Sequence, residues 1–320
     1  MSYAAAYTLY NYRFKDPSVA TDSYNNLQLI RAFERGLDPS SSEAGFVLTH
    51  VDMVKHSPSL ILGTTQLLDA IATHTDRSSA NSALQMLLDS MNAIESSMEA
   101  MWTHSRPADY LSYRTFIFGI TNQSMFPSGV IYAGHNNDQP MSFRGESGAN
   151  DSIIPLLDAL LEIPMPANPL TEILKDFRSY RPKPHREFLA YVRNVAQELG
   201  VKDYCTCKPE DEGQETETTV LYLRLLDTVR SFRWRHWLFA REYIIRRSKH
   251  PTATGGSPIV TWLPNQLFAV MDLMGEVWEG MGVRGQGEAG KGMEEMMNGV
   301  REQREKLDRE VKRWCQERDV

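Results

Sequence analysis

Along most of this chain, apolar residues recur at spacings of three and four, the period of helices that bury one face. From Glu43 the series Phe46, Val47, His50, Val51 and Val54 runs to a break at Pro58. Residues 60–71 are largely apolar and predict a second helix. Residues 78–104 predict a long third one, with Leu84, Met86, Leu87, Met91 and Ile94 on its inner face. Helical periodicity returns at 110–120, 153–163, 184–199, 218–247 and 260–276, and in polar form at 298–315. A short helix at 170–178 is bracketed by Pro164, Pro166, Pro169, Pro182 and Pro184. Residues 22–35 also predict a helix, after an irregular stretch over 1–20 with a turn at Asp16-Pro17.

The breaks are as informative. Gly36, Pro39 and three serines interrupt residues 36–42. Pro127, Gly129, Gly134, Pro140, Gly145 and Gly148 exclude a long helix from 121–150. The acidic run at 202–216 predicts a surface loop, and 280–296 carries six glycines and three methionines among charged groups. No repeat is visible and strand signals are few. The pattern predicts an all-α fold with long helices around one pocket. It divides the chain into a main helical domain at 1–276 and a Gly/Met/charge-rich C-terminal extension with a polar helix at 277–320.

Composition narrows the class. With 320 residues, 42% apolar and 23% charged, the chain can bury a large core. A net charge of -7 argues against a nucleic-acid partner. Cys205, Cys207 and Cys315 make no disulfide framework, and Cys205-Thr-Cys207 lacks the spacing of a redox or zinc site. There is no secretory signal pattern and no apolar run of membrane-spanning length. The expectation is a cytoplasmic protein without a membrane partner.

One residue suggests chemistry. His236 falls on the stripe Leu225, Val229, Phe232, His236, Ala240 and Tyr243. A desolvated imidazole needs a partner. Haem iron is one; a backbone carbonyl is another, and the pattern leaves both open. Phe232, Trp234, Trp237 and Phe239 supply flat apolar area suited to a porphyrin or to ordinary packing. Arg233 stands one turn before His236, where a guanidinium could pair with a haem propionate. The chain has no Cys-x-x-Cys-His motif, so any haem is expected to be non-covalent. The loop Ala253-Thr-Gly-Gly-Ser257 offers backbone N–H groups and hydroxyls for a carboxylate, or Thr254 for an ammonium. It reads equally as a connecting turn, and it lacks the ending of a phosphate loop.

Several segments, in order, resemble the indoleamine 2,3-dioxygenase family, relatives of tryptophan 2,3-dioxygenase. They include Tyr3-Ala-Ala-Ala-Tyr7 through Pro17, Gly45-Phe-Val-Leu-Thr-His50 and Tyr110-Leu-Ser-Tyr-Arg-Thr-Phe116. Pro127-Ser-Gly-Val-Ile-Tyr-Ala-Gly134, Phe143-Arg-Gly-Glu-Ser-Gly148 through Ser152, and Asp176-Phe-Arg-Ser-Tyr180 through Phe188 follow. The His236 helix and Thr254-Gly-Gly-Ser257 complete the set. The resemblance implies a helical haem domain of that family, and a chain that lacks the small N-terminal domain of animal members. It implies haem b with His236 as the iron ligand, O2 as co-substrate and Arg233 near a propionate. Arg114 would grip the substrate carboxylate and Phe46 would pack on the indole. Ser147 and Gly148 would lie near the face where oxygen binds, and Thr254 and Gly255 over the amino-acid end.

Two residues depart from the indoleamine branch. His50 stands where that branch has serine and the tryptophan branch has a histidine that bonds the indole N–H; here it is the candidate catalytic residue. Asp109, followed by Tyr110, replaces an aromatic group beside the substrate, which makes both candidate substrate contacts and opens the choice of substrate. The expected reaction is insertion of O2 across C2–C3 of tryptophan or a related indole, giving an N-formyl product. Haem-dependent monooxygenation or peroxygenation of an aromatic compound is the alternative enzyme class, and a non-catalytic haem or indole-binding protein is the third. The resemblance also leaves room for a homo-oligomer whose neighbouring subunit covers the pocket.

Overall fold

The computed structural model describes residues 10–19, 23–34, 36–74, 76–145, 151–165, 172, 176–206, 214–249, 252–253, 258–281 and 287–319. Helices dominate: α1 (Ser42–Val54), α2 (Ser57–Ala72), α3 (Arg77–Glu99), α4 (Met101–His104), α5 (Tyr110–Ile117) and α6 (Ile153–Leu160). They continue as α7 (Lys183–Leu199), α8 (Val201–Thr206), α9 (Gln214–Phe239), α10 (Trp262–Met281) and α11 (Gly287–Arg318). A π-helical turn, Ala240–Ile245, extends α9. The all-α expectation holds apart from one small hairpin. Among the described residues, no helix is long and apolar enough to cross a membrane.

The centre of the core is α3 packed between α2 and α9, with α10 against the far side of α9. Leu84, Leu87, Met91 and Ile94 are fully buried, as their spacing requires. Met86 departs from that expectation: it lies half-buried at the edge of α3, on a polar groove of about 770 Å³ shared with His56 and Glu217.

The helix expected at 22–35 is absent. Its place is taken by a 3-10 turn, Tyr24–Asn26, and a strand β2 (Leu27–Leu29) antiparallel to β1 (Tyr12–Phe14). Leu27 and Leu29 bury on one face with Ala44, Val47 and Ile117, a period-two pattern too short to distinguish by spacing. The Asn11 side chain brackets the Arg31 peptide, accepting from its N–H at 2.9 Å and donating to its carbonyl at 3.0 Å. The buried Glu43 carboxylate takes the Phe33 and Glu34 N–H groups at 2.6 and 3.0 Å. These distant side chains hold backbone groups that a helix would have paired internally.

Helix α1 starts where Ser41 accepts the Ala44 N–H at 3.2 Å. Gly45 lets α1 press on α4, because a Cβ there would sit 1.9 Å from the His104 carbonyl oxygen.

Part of the expected 202–216 loop is helical. Gly200 ends α7 in the left-handed conformation (φ 62°), and α8 buries Val201 and Cys205 four residues apart. Helix α11 begins earlier than its polar stretch predicts. Met293, Met297, Val300 and Leu307 enter the main core, and that burial offsets the cost of its glycines. Glu310 of α11 accepts from Trp237 Nε1 at 2.8 Å and from Arg241 at 2.7 Å, fastening it to α9 and the π turn.

Candidate functional site

Helix α9 carries Arg233 and His236 one turn apart, and they take different roles. Arg233 is 6% exposed. One of its terminal nitrogens donates to both Asp158 oxygens at 2.7 Å, and the other to the Gln266 carbonyl at 3.2 Å. It therefore latches α9 to α6 and α10. Burial pushes the Asp158 carboxyl above its ordinary range, and the Arg233 charge opposes that rise. Removing one member of such a pair leaves a buried charge unpaired. Arg233→Ala or Asp158→Ala should therefore cost about 3–5 kcal/mol of stability. Urea unfolding would check this, and a change under about 1 kcal/mol would show that the pair is not what holds the three helices.

His236 is surrounded by protein, and burial pulls its pKa down to about 4, with the His50 imidazole adding to the shift. It is neutral at pH 7. Among the described residues no hydrogen bond to its ring is present. Yet the side chain keeps accessible surface. Among the described residues, the carbonyl partner of the ordinary packing alternative is absent.

His50, on α1, lies near enough for its imidazole to lower the His236 pKa further. It too is deep and half-accessible, and burial lowers its pKa. Its Nδ1 lies 2.7 Å from the Phe46 carbonyl oxygen. A carbonyl only accepts, so Nδ1 carries the proton and Nε2 presents a lone pair. Phe46 lies one turn earlier, with its ring centroid 4.9 Å from that of His50, 5.3 Å from Tyr110 and 6.0 Å from Tyr113. Tyr110 and Tyr113 are buried and meet edge-on at 5.3 Å. Tyr243, from the π turn, closes on Tyr110 at 5.6 Å and donates its hydroxyl to the Ser105 carbonyl. The result is an aromatic wall beside the two histidines.

Arg114, on α5, is 2% exposed, and burial lowers its pKa. It meets the Tyr110 hydroxyl, covers the Phe118 ring at 4.4 Å and donates to the Thr252 carbonyl at 2.9 Å. Thr252 pairs with Pro258 across an antiparallel bridge, so Arg114 grips the neck of the 253–257 loop. Thr254 and Gly255 of that loop lie outside the described residues, as do Ser147 and Gly148.

Asp109, a candidate substrate contact, is engaged by protein groups. Its carboxylate accepts from the Ser42 hydroxyl at 2.6 Å and from Arg106 at 2.9 Å. These partners join the start of α5 to the start of α1, so the charge serves helix placement.

Sequence reasoning missed Asp151 and Arg181. Asp151 precedes α6 and accepts the Ile153 N–H at 2.7 Å. Burial raises its pKa, opposed first by the hydrogen bond from the Ile153 N–H and then by the nearby His50 and Arg181 side chains. Arg181 is 6% exposed and is pulled down to about 10 by burial. Neither falls on a periodic apolar stripe. An acid immediately before an apolar helix, a capping pattern, was the available signal for Asp151.

The sequence matches the family model "Indoleamine 2,3-dioxygenase" over residues 1–306. The chain belongs to the indoleamine 2,3-dioxygenase family. Indoleamine 2,3-dioxygenase 1 of Rattus norvegicus is 24% identical over 258 residues, 80% of this chain and 60% of the relative. The Saccharomyces cerevisiae indoleamine 2,3-dioxygenase is 26% identical over 269 residues, 79% of this chain and 56% of the relative. A 6-hydroxytryptophan 2,3-dioxygenase of Fusarium equiseti is 30% identical over 103 residues, covering 32% of this chain and 24% of the relative. The chain thus spans about 60% of the length of the rat relative. Its all-α architecture is the one the sequence resemblance implied for this family.

Proposed function

We propose that this chain is a haem-dependent dioxygenase of indoles, acting on tryptophan or a ring-substituted tryptophan. The supporting observation is His236: a deep, neutral imidazole without a hydrogen bond among the described residues, with the His50 imidazole close by. That donor fits a haem iron: His236 would hold it through a neutral imidazole nitrogen. Haem b, when bound, supplies the redox-active iron for inserting both atoms of O2 at the C2–C3 bond of the indole.

The chain's own residues bind and orient. Arg114 pairs with the substrate carboxylate, where a guanidinium fork matches the planar anion. Phe46 packs on the indole face, and Tyr110 and Tyr113 behind it keep water from the ring. His50 accepts the indole N–H at Nε2, its only basic nitrogen once Nδ1 is bonded to Phe46. The family resemblance would assign Thr254 and Gly255 to the amino-acid end of the substrate, and Ser147 and Gly148 to the oxygen-binding side. The chemistry printed in the Fusarium relative's name, on a hydroxylated tryptophan, keeps ring-substituted substrates within this proposal.

Mass spectrometry of the product under 18O2 tests the reaction. Uptake of both labelled atoms into an N-formyl ring-opened product is expected. Incorporation of one atom with the ring intact would instead indicate monooxygenation or peroxygenation, for which neutral His50 would serve as the proton acceptor.

The role of His50 has its own test. One neutral hydrogen bond contributes about 0.5–1.5 kcal/mol, roughly two- to twelvefold in affinity. Wild-type protein should bind tryptophan more tightly than its N1-methyl analogue by about that factor. His50→Ala should flatten the difference while keeping haem bound. Equal discrimination in both proteins would remove His50 from the substrate contact.

A further inference from the structure

Residues on both sides of His236 are fixed by side-chain bonds to four other helices. Arg233, one turn before it, is held by Asp158 of α6 and by the Gln266 carbonyl of α10. Arg235 pairs with Glu95 and Glu99 of α3 at 3.0 and 2.9 Å. After His236, Trp237 and Arg241 share one carboxylate of α11. Glu310 Oε2 accepts from the Trp237 indole N–H at 2.8 Å, and Oε1 accepts from the Arg241 guanidinium at 2.7 Å. Trp237 is fully buried, and Arg241 and Glu310 are largely so. The His236 ring between these anchors has no hydrogen bond among the described residues.

A histidine that ligates a metal is usually aimed by a hydrogen bond to its second ring nitrogen. Without that bond, the direction of the His236 ring is set by its rotamer and by the roll of α9 about its own axis. Trp237 and Arg241 are four residues apart, on one row along the helix. A carboxylate that takes one donor at each oxygen resists roll at two points, and the bond to Arg241 is charge-assisted on both sides. The same two residues straddle the change of hydrogen-bond ladder at the π turn, where the Arg246 N–H reaches back five residues to the Arg241 carbonyl at 3.0 Å. Glu310 thus ties the last α-helical turn to the first π-helical residues. We propose that Glu310 is a positioning residue for the haem ligand: from α11 it fixes the roll of α9, and so the direction in which His236 presents its ring nitrogen. This inference rests on the reading of His236 as the iron ligand. Arg233 and Arg235 hold α9 before the histidine, and Glu310 supplies the hold after it, acting through Trp237 and Arg241.

Glu310→Ala, Glu310→Gln and Leu307→Ala test this together. Leu307 is a fully buried α11 residue one turn before Glu310. Its truncation loosens α11 while leaving the groups of both Glu310 bonds in place. Glu310→Gln keeps the volume and one acceptor oxygen, so it should fold even if Glu310→Ala does not. In the haem-free protein, NMR of the His236 ring should show one environment in wild type and in Leu307→Ala. Glu310→Ala should show exchange broadening or a second environment. In the ferrous haem-loaded protein, the iron–histidine stretching band should move or broaden in Glu310→Ala. Haem dissociation should speed up about tenfold, the low end for groups that orient a metal ligand from behind. Glu310→Gln can hold only one of the two donors and should fall between. Glu310 variants with wild-type ring signals, band and dissociation rate overturn the proposal. So does a Leu307→Ala variant that matches Glu310→Ala in all three, since Glu310 would then be an ordinary docking contact. Wild type that binds haem through His236, with the variants unchanged, sinks this inference alone. Wild type that takes up no haem, or takes it through another residue, sinks the His236 reading with it.

Discussion

His236→Ala is expected to lose the Soret band of histidine-ligated haem while keeping the fold. Both halves follow from the same observation. The imidazole is deep, neutral at pH 7 and without a hydrogen bond among the described residues. Removing it breaks no protein contact of that kind and takes away a polar group that burial penalises. The haem-free variant should therefore unfold within about 1 kcal/mol of the haem-free wild type. Haem affinity, in contrast, should collapse, because the nitrogen that would hold the iron goes with the side chain. Added imidazole should restore part of the spectrum in His236→Gly. A normal histidine-ligated spectrum in the alanine variant would move the iron ligand elsewhere. Loss of haem together with the fold would make His236 a structural residue.

Arg114→Ala is expected to cost about 2–3 kcal/mol of recognition for a substrate carboxylate, roughly 30- to 150-fold. The figure belongs to a charge-assisted contact in a nearly dry place, where Arg114 is 2% exposed. The clean readout is a ratio. The kcat/KM preference for tryptophan over tryptamine, which lacks the carboxylate, should fall by that factor in the variant. Arg114 also holds the Thr252 carbonyl at the neck of the 253–257 loop, so a general loss of activity is expected as well. Loosening of the loop would affect both substrates alike and leave the ratio unchanged. An unchanged ratio would confine Arg114 to that structural role.

The helical class, the order of the long helices and the inner face of α3 could all be read from periodicity. A stripe of Leu84, Leu87, Met91 and Ile94 has one way to leave water, whatever packs on it. His236 and His50 stood out for a related reason. An imidazole on an apolar stripe is a local anomaly, visible without coordinates, and the family resemblance then attached roles to it. Residues 27–29 were beyond that logic. Leu27 and Leu29 fit a helix or a strand, and Asn11 and Glu43, distant in sequence or across a loop, settled the choice by taking the backbone groups. Helix α11 likewise forms on glycines that local propensity disfavours, because its methionines find the core.

Charge carried the least local information. Asp109 was expected at the substrate from the resemblance, and no local signal announced Ser42 and Arg106 as the partners that hold its carboxylate. Asp158 carried no sequence signal, yet it anchors Arg233. Asp151 and Arg181 are 30 residues apart, and each feels the other's charge because α6 and α7 start side by side. Hydrophobic burial is set largely by spacing along one element, so the chain's own pattern announces it. The partner of a buried charge is set by which elements converge, and that follows from the fold as a whole.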